Sequence, residues 1–486
     1  MKRFWILLVV ICFSSFDVYG LGKTLHPIVY GLNDCISDIQ RYYVLQEMHN
    51  DAAKLGCNVS YEGIDTINIE IPRDAKPLPL TDETDFGGVV MNVKNTAKGI
   101  TLFTLKNKVE PLDITWEQVQ KGILPDKQHD YLILIEDQEP WVKNRIGYKY
   151  GHTRRDILLV KNGKIQNKVV ASYGTKSSKP KFSKCDIKSR PKYIRNLTVN
   201  RDTASSCITY ILKIDNQNEV QIEHIKINTP APKDLYGDAA ISMNNCTNVV
   251  MKDVTINGTY SQNRKYGYGI SLNNTWNTTF ERLWGYGNWG VFGNSNVNTA
   301  TLVDCDINRF DIHCYGKDVY FKNCTFRDLY NQYSSVYGTI SYDGCLFSDF
   351  LPVLIETSYN AYTGFDLKFK NCKWEIKQTD RNVLIYAGKP FEKENERPEL
   401  KEKCWPNLNV DNISVLGPSN LEEIVLFQCA GNKSINAKIN YIKNIRIHSF
   451  NVWKNDVRVF LSNYRLDFVH KLVITENRTP KIKQHK

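Results

Sequence analysis

Three absences narrow the possibilities for this chain. No stretch beyond residue 20 runs to about 18 consecutive apolar residues, so no membrane-spanning helix is predicted there. No CxxC pair or compact Cys/His cluster occurs among the 13 cysteines, which leaves zinc without a ligand pattern. The glycine-dense stretch Gly285, Gly287, Gly290 and Gly293 is not followed by a helical pattern, so it is no nucleotide-binding fingerprint. It predicts close backbone approach instead.

What is present is a chain of 486 residues, 42% hydrophobic and 24% charged, which excludes disorder and collagen and supports a sizeable core. The formal charge of +11 points to an acidic partner without choosing among nucleic acid, anionic lipid and acidic polysaccharide. Met1-Lys2-Arg3 is a short basic start, Phe4 to Phe13 is unbroken apolar sequence, and Val18-Tyr19-Gly20 suits a signal peptidase. Residues 1–20 are therefore expected to be a secretory signal, and the protein is expected to be secreted, periplasmic or held at the cell surface. Lipidation at Cys12 is the lesser alternative. Export makes nucleic acid a poor natural partner and permits disulfides.

From about residue 192 the same short phrase returns. It appears at 193–199, 220–227, 249–256, 279–284, 300–307, 319–326, 339–347 and 367–374. Each copy alternates apolar and polar residues, pauses at a turn-forming residue, usually Asn, Asp or Gly, and resumes the alternation: strand, tight turn, strand. The inward residues after the turns are Leu197, Ile225, Val254, Leu283, Cys305, Cys324, Cys345 and Cys372, spaced 19 to 29 residues apart. Coils of about 20 residues with variable insertions are the mark of a parallel β-helix, in which stacked coils bury side chains that one coil cannot. The four cysteines are expected as one buried ladder of small apolar side chains. Asn196, Asp253, Asp304, Asn323 and Asn371 are expected in left-handed turns.

Residues 36–55 show helical spacing that ends at Gly56, suited to covering the open end of such a solenoid. The predicted fold is all-β, a single-stranded parallel β-helix with an N-terminal helical cap. The expected divisions are residues 21–71 for cap and first strands, 72–191 for early coils with insertions, 192–376 for regular coils, and 377–486 for irregular final coils and a C-terminal cap.

With the helix at 36–55, the Ile69-Glu70-Ile71-Pro72 phrase and the coils from 192 to 376, the chain resembles the pectate-lyase-like, right-handed β-helix superfamily. It looks most like carbohydrate-associated β-helix proteins of bacteria and the related phage tailspikes. The resemblance implies a polysaccharide or glycan partner and leaves the mechanism open. Neither the aspartate–arginine phrase of calcium-dependent pectate lyases nor the Asn-x-Asp and Gly-His-Gly surroundings of polygalacturonases can be matched. No catalytic residue is carried over. No metal ligand is identified, and calcium enters only if the reaction is a lyase reaction.

Candidate chemistry concentrates in Asp304-Cys-Asp306-Ile-Asn308-Arg309-Phe-Asp311-Ile-His313. Strand alternation puts Arg309, Asp311 and His313 on one outward face when Phe310 and Ile312 point inward. Aligning Phe292-Gly293, Tyr315-Gly316 and Tyr337-Gly338 puts Asn288 below Asp311 and Tyr333 above it, with Glu356 close to Tyr337. Asp304, Asp306, Asp311, His313 and Glu356 are the candidate catalytic groups; Arg309, Asn288, Trp289, Tyr333, Tyr337 and Tyr359 are the candidate sugar contacts. Two of the carboxylates could serve a glycosidase, or His313 with Arg309 a lyase acting on an acidic polysaccharide. A glycan-binding or adhesive β-helix without catalysis is the competing class.

Overall fold

The computed structural model describes residues 23–95, 100–142, 151–171, 173, 178–188, 190–201, 208–229, 239–258, 267–287, 289–348, 351–356, 365–388, 405–429, 441–454, 456–463, 468–475 and 481–485. The export segment expected at residues 1–20 lies outside them, as do Asn288 and Tyr359. Among the described residues no helix is long and apolar enough to cross a membrane.

Coil stacks on coil through parallel pairing, and 29 strands join one continuous sheet that winds into a right-handed parallel β-helix. The expected inward column is buried throughout: Leu197, Ile225, Val254, Leu283, Cys305, Cys324, Cys345 and Cys372 belong to a single core. It continues through Ile413 and Phe450, which lie opposite Cys372 and Ile413 respectively. Each inward aliphatic or aromatic side chain contributes roughly 1.5–3 kcal/mol of hydrophobic stabilisation. The four ladder cysteines are free thiols.

The turns have a polar logic of their own. Asn196, Asp253, Asp304, Asn323 and Asn371 all adopt left-handed backbone, with φ of 64°, 54°, 53°, 54° and 51°. Asn and Asp tolerate that geometry because their short side chains bond locally. At a second corner Asn216, Asn245, Asn274 and Asn296 stack, each amide donating to the carbonyl oxygen below at 2.8, 2.8 and 2.6 Å. Tyr315 takes the next rung, because Ser295 faces Cys314 and Val297 faces Gly316.

Helix Asp38–Leu55 covers the N-terminal end. Ser37 and Gln40 form a reciprocal capping box, and Gly56 closes the helix in left-handed geometry at φ 68°. Its buried face, Tyr42, Leu45, Met48, His49 and Ala52, joins the same core as the first strands. His49 is clamped between the Pro79 carbonyl at 2.9 Å and the Tyr61 hydroxyl at 2.7 Å.

Residues 110–186 depart from the expected early coils. Glu110–Pro111, Tyr131–Val142, His152–Lys161, Lys164–Ile165 and Pro180–Asp186 form a separate five-stranded antiparallel sheet. Strand alternation alone cannot distinguish a coil strand from a hairpin strand, since the period is the same. The inserted sheet packs on the β-helix through Cys314 and Tyr315 on one side and Trp276 on the other. The Tyr315 hydroxyl accepts from the Arg155 backbone N–H at 2.5 Å and donates to the Arg155 carbonyl. Within the sheet the Asp156 carboxylate accepts from the Val170 and Ala171 amides, both at 2.9 Å, and from the Tyr173 hydroxyl at 3.1 Å.

Candidate functional site

Strand Phe310–Lys322 starts just after a corner of the coil. Phe310 and Ile312 point into the core, and Arg309, Asp311 and His313 point away from it, as alternation requires. Two of the three are nevertheless sealed. Asp311 is 0% exposed and Arg309 1%, whereas the His313 side chain keeps 22%.

Aromatic rings do the sealing. The Arg309 guanidinium lies between Trp289 and Tyr330, 4.7 and 4.6 Å from the two ring centroids, a doubled cation–π contact. Its Nε is bonded to Asp311, and its Nη2 donates to Gln332 Oε1 at 2.7 Å. Burial works against the guanidinium charge, but Asp311 and the surrounding phenols more than offset it and hold its pKa above the ordinary value. Burial likewise raises the Tyr330 phenol, opposed by Arg309 and reinforced by Asp311 and Glu356.

Above this pair lies a second one. Tyr268 Oη is 2.9 Å from His313 Nε2, and Asp311 Oδ2 is 3.4 Å from each of those atoms. Tyr268 reaches them from two strands away because Gly293, between them, has no side chain. A Cβ at Gly293 would come within 2.5 Å of Tyr268 Cγ, and one at Gly290 within 3.2 Å of both Tyr268 Cε1 and Arg309 Cδ. The close approach expected of the glycine stretch therefore seats the Tyr268 ring. The single phenol proton can go to His313 Nε2 or to Asp311 Oδ2, so the arrangement can pass a proton between a part-buried hydroxyl and a partly exposed ring.

The remaining candidates are dispersed. Asp304 occupies a left-handed turn, exposed, and accepts from Asn323 at 3.1 Å. Asp306 lies on the neighbouring face of the coil, bonded to Tyr286 and to Arg327 at 3.2 Å. Tyr333 is in the core, its hydroxyl 2.5 Å from that of Tyr342. The expected stack was off by one residue here: Gln332, not Tyr333, faces Asp311, and Tyr333 faces Ile312. A one-residue slip turns a side chain to the opposite side of a strand, so the expected sugar contact is a core residue. Below Asp311 stands Gly293, in the position expected for Asn288. Tyr337 pairs with Lys317, away from Asp311, and burial raises its phenol, with Arg154 opposing the shift. Glu356 follows strand Val353–Ile355, and its backbone bonds Tyr333 and Ser334 rather than extending the stack to Tyr337.

Tyr268, Tyr330 and Gln332 were not assigned site roles from sequence, and Gly293 was assigned only a close backbone approach. Val291 and Phe292 are both in the core, so alternation changes phase at this corner. The same break occurs one coil earlier, where Ile270 is in the core and a Cβ at Gly269 would meet Ile256 and Val291, which leaves Tyr268 outside. Among the described residues no group of three or more His, Cys, Asp or Glu is placed to hold a metal ion.

These features define a right-handed parallel β-helix protein with an aromatic-walled polar cluster on one face. No protein-family model matches the sequence, and no curated protein does. Among solved structures, the chain is similar to the tailspike gp49 of Pseudomonas phage LKA1, at TM-score 0.55 and 11% identity, covering 92% of this chain and 84% of that one. It is also similar to the Gp54 tailspike of Acinetobacter baumannii bacteriophage AP22, solved with A. baumannii capsular saccharide, at TM-score 0.52 and 11% identity over 92% and 79%. Identity this low carries the fold and none of the chemistry.

Proposed function

We propose that the protein is an exported carbohydrate-active β-helix that cleaves an acidic polysaccharide by β-elimination, with Tyr268 and His313 handling the proton. The observation that carries this reading is the 2.9 Å contact between Tyr268 Oη and His313 Nε2, backed by the buried Asp311–Arg309 pair. His313 takes the phenol proton. The phenolate then abstracts the proton from the sugar carbon beside the carboxylate, and a carbon–carbon double bond forms as the glycosidic carbon–oxygen bond breaks. The same phenol, or His313, returns a proton to the departing oxygen. Paired-carboxylate hydrolysis has less support, because Asp311 is enclosed and Asp304 and Asp306 lie elsewhere, which leaves Glu356, partly exposed and acting on the Tyr330 phenol, as a single accessible candidate. The described residues offer no calcium ligand set, and no step is routed through a metal. Export rests on the basic–apolar N-terminus, and the glycan on the fold together with the aromatic wall.

A second reading, a glycan-binding protein without catalysis, is favoured by the enclosure of Arg309 and Asp311. A screen of purified protein against acidic and neutral glycans separates the two. Elimination makes an ultraviolet-absorbing unsaturated uronide, which Tyr268→Phe and His313→Ala should abolish. New reducing ends without that absorbance indicate hydrolysis, and binding with neither product indicates a lectin-like role.

A further inference from the structure

A groove of about 190 Å³ lies on a different face of the β-helix, across the later coils. It is built from the outward sides of strands Asp366–Glu375, Asn407–Leu416, Ile442–Val452 and Val469–Ile474. Registration puts Lys368, Asn409 and Arg446 in one column, each directly opposite the next. Lys368 and Arg446 thus flank the Asn409 amide about 10 Å apart, two strand spacings. Lys471 stands in the adjacent column, opposite Asn444, which in turn lies beyond Asn407.

The charge is unbalanced. The acidic residue lining the groove, Asp366, already accepts from Asn407 at 2.9 Å and lies 3.9 Å from Lys368. No ion pair engages Arg446 or Lys471 among the described residues. Among the described residues no aromatic side chain lines the groove, which gives none of the stacking platform that single-stranded nucleic acid uses. Side-chain amides suit sugar hydroxyls, and a guanidinium fork suits a carboxylate or sulfate.

We propose that this groove binds one anionic sugar unit of a polysaccharide, its acidic group held by Arg446 and Lys471 and its hydroxyls by Asn409 and Asn407. The proposal rests on the glycan reading above and adds a second site, on another face, that anchors the polymer independently of cleavage.

The test is affinity electrophoresis of the full chain in gels cast with polygalacturonate, dextran sulfate or neutral dextran. Retardation is expected in one or both anionic gels and absent in dextran; the two anionic arms tell a carboxylate from a sulfate. Arg446→Ala with Lys471→Ala should weaken retardation at least about tenfold, and Asn409→Ala several-fold with both cations intact. Unchanged circular-dichroism melting shows that these exposed substitutions leave the fold whole. Failure of the anionic gels to retard the wild type overturns the proposal, as does equal retardation of the variants or equal displacement by a single-stranded oligodeoxynucleotide. Retardation is scored separately from the ultraviolet product, so a failed elimination assay and a failed groove are distinct results.

Discussion

Tyr268 and His313 meet at 2.9 Å although a full coil lies between their strands, because the intervening coil presents Gly293 where a side chain would stand. The contact spans about two strand spacings, a distance that a phenol ring lying flat on bare backbone can cover. Alanine at 293 would place Cβ 2.5 Å from Tyr268 Cγ and force the ring aside. Gly293→Ala is expected to cost about 1–3 kcal/mol of stability and to lower turnover as far as Tyr268→Phe does. Adding Tyr268→Ala to Gly293→Ala should recover the stability but not the turnover. Urea unfolding beside the ultraviolet product assay measures both.

The enclosed Arg309–Asp311 pair predicts strong non-additivity. Removing either partner leaves an unpaired charge beneath the aromatic rings, so Arg309→Met or Asp311→Leu alone should destabilise by about 3–5 kcal/mol. The double variant should cost far less than the sum of the two. Denaturant midpoints for the four proteins of the cycle decide it; additive costs would mean the pair is not coupled.

Tyr315 predicts a local effect on the inserted sheet. Tyr315→Phe removes the partner of the part-buried Arg155 N–H and one of the two donors to its carbonyl, which keeps Asn296, at about 0.5–1.5 kcal/mol. Hydrogen exchange should rise in His152–Lys161 and stay unchanged in the cap helix.

Two buried groups give opposite responses to pH. Burial lifts the Asp156 carboxyl from its ordinary 3.8 to about 7, despite three hydrogen bonds that oppose the shift. Its folded value lies above its unfolded one, so its contribution is complete below about pH 4 and is lost as pH rises to about 7, at roughly 1.4 kcal/mol per pH unit. Asp156→Asn should flatten that loss. Burial lowers His49 from 6.5 to about 4, against the opposing Pro79 hydrogen bond. Its contribution is complete above pH 6.5 and lost as pH falls toward 4. Exchange-protected fractions of the inserted sheet and of helix Asp38–Leu55, followed from pH 4 to 8 with correction for intrinsic rates, should therefore move in opposite directions.

Much of the architecture was legible because the physics is local. The inward column from Leu197 to Cys372 follows from two-residue alternation, and the turns at Asn196, Asp304 and Asn323 from the tolerance of Asn and Asp for left-handed backbone. The stop of the helix at Gly56 was readable in the same way, whereas its capping box at Ser37 and Gln40 emerged only from the structure. The site was only partly legible. Arg309, Asp311 and His313 were found on their strand, but the groups that complete the cluster come from other coils.

Sequence alone therefore determined the coil phrase, its inward residues, its turns and a surplus of positive charge. Tertiary structure decided which residues of successive coils stand opposite one another, since insertions of unequal length erase any fixed count between them. That choice placed Gln332 rather than Tyr333 beside Asp311, and Gly293 below it. Folding also drew residues 110–186 out into an antiparallel sheet, because hairpin and coil strands share one hydrophobic period and differ only in the partner that buries them.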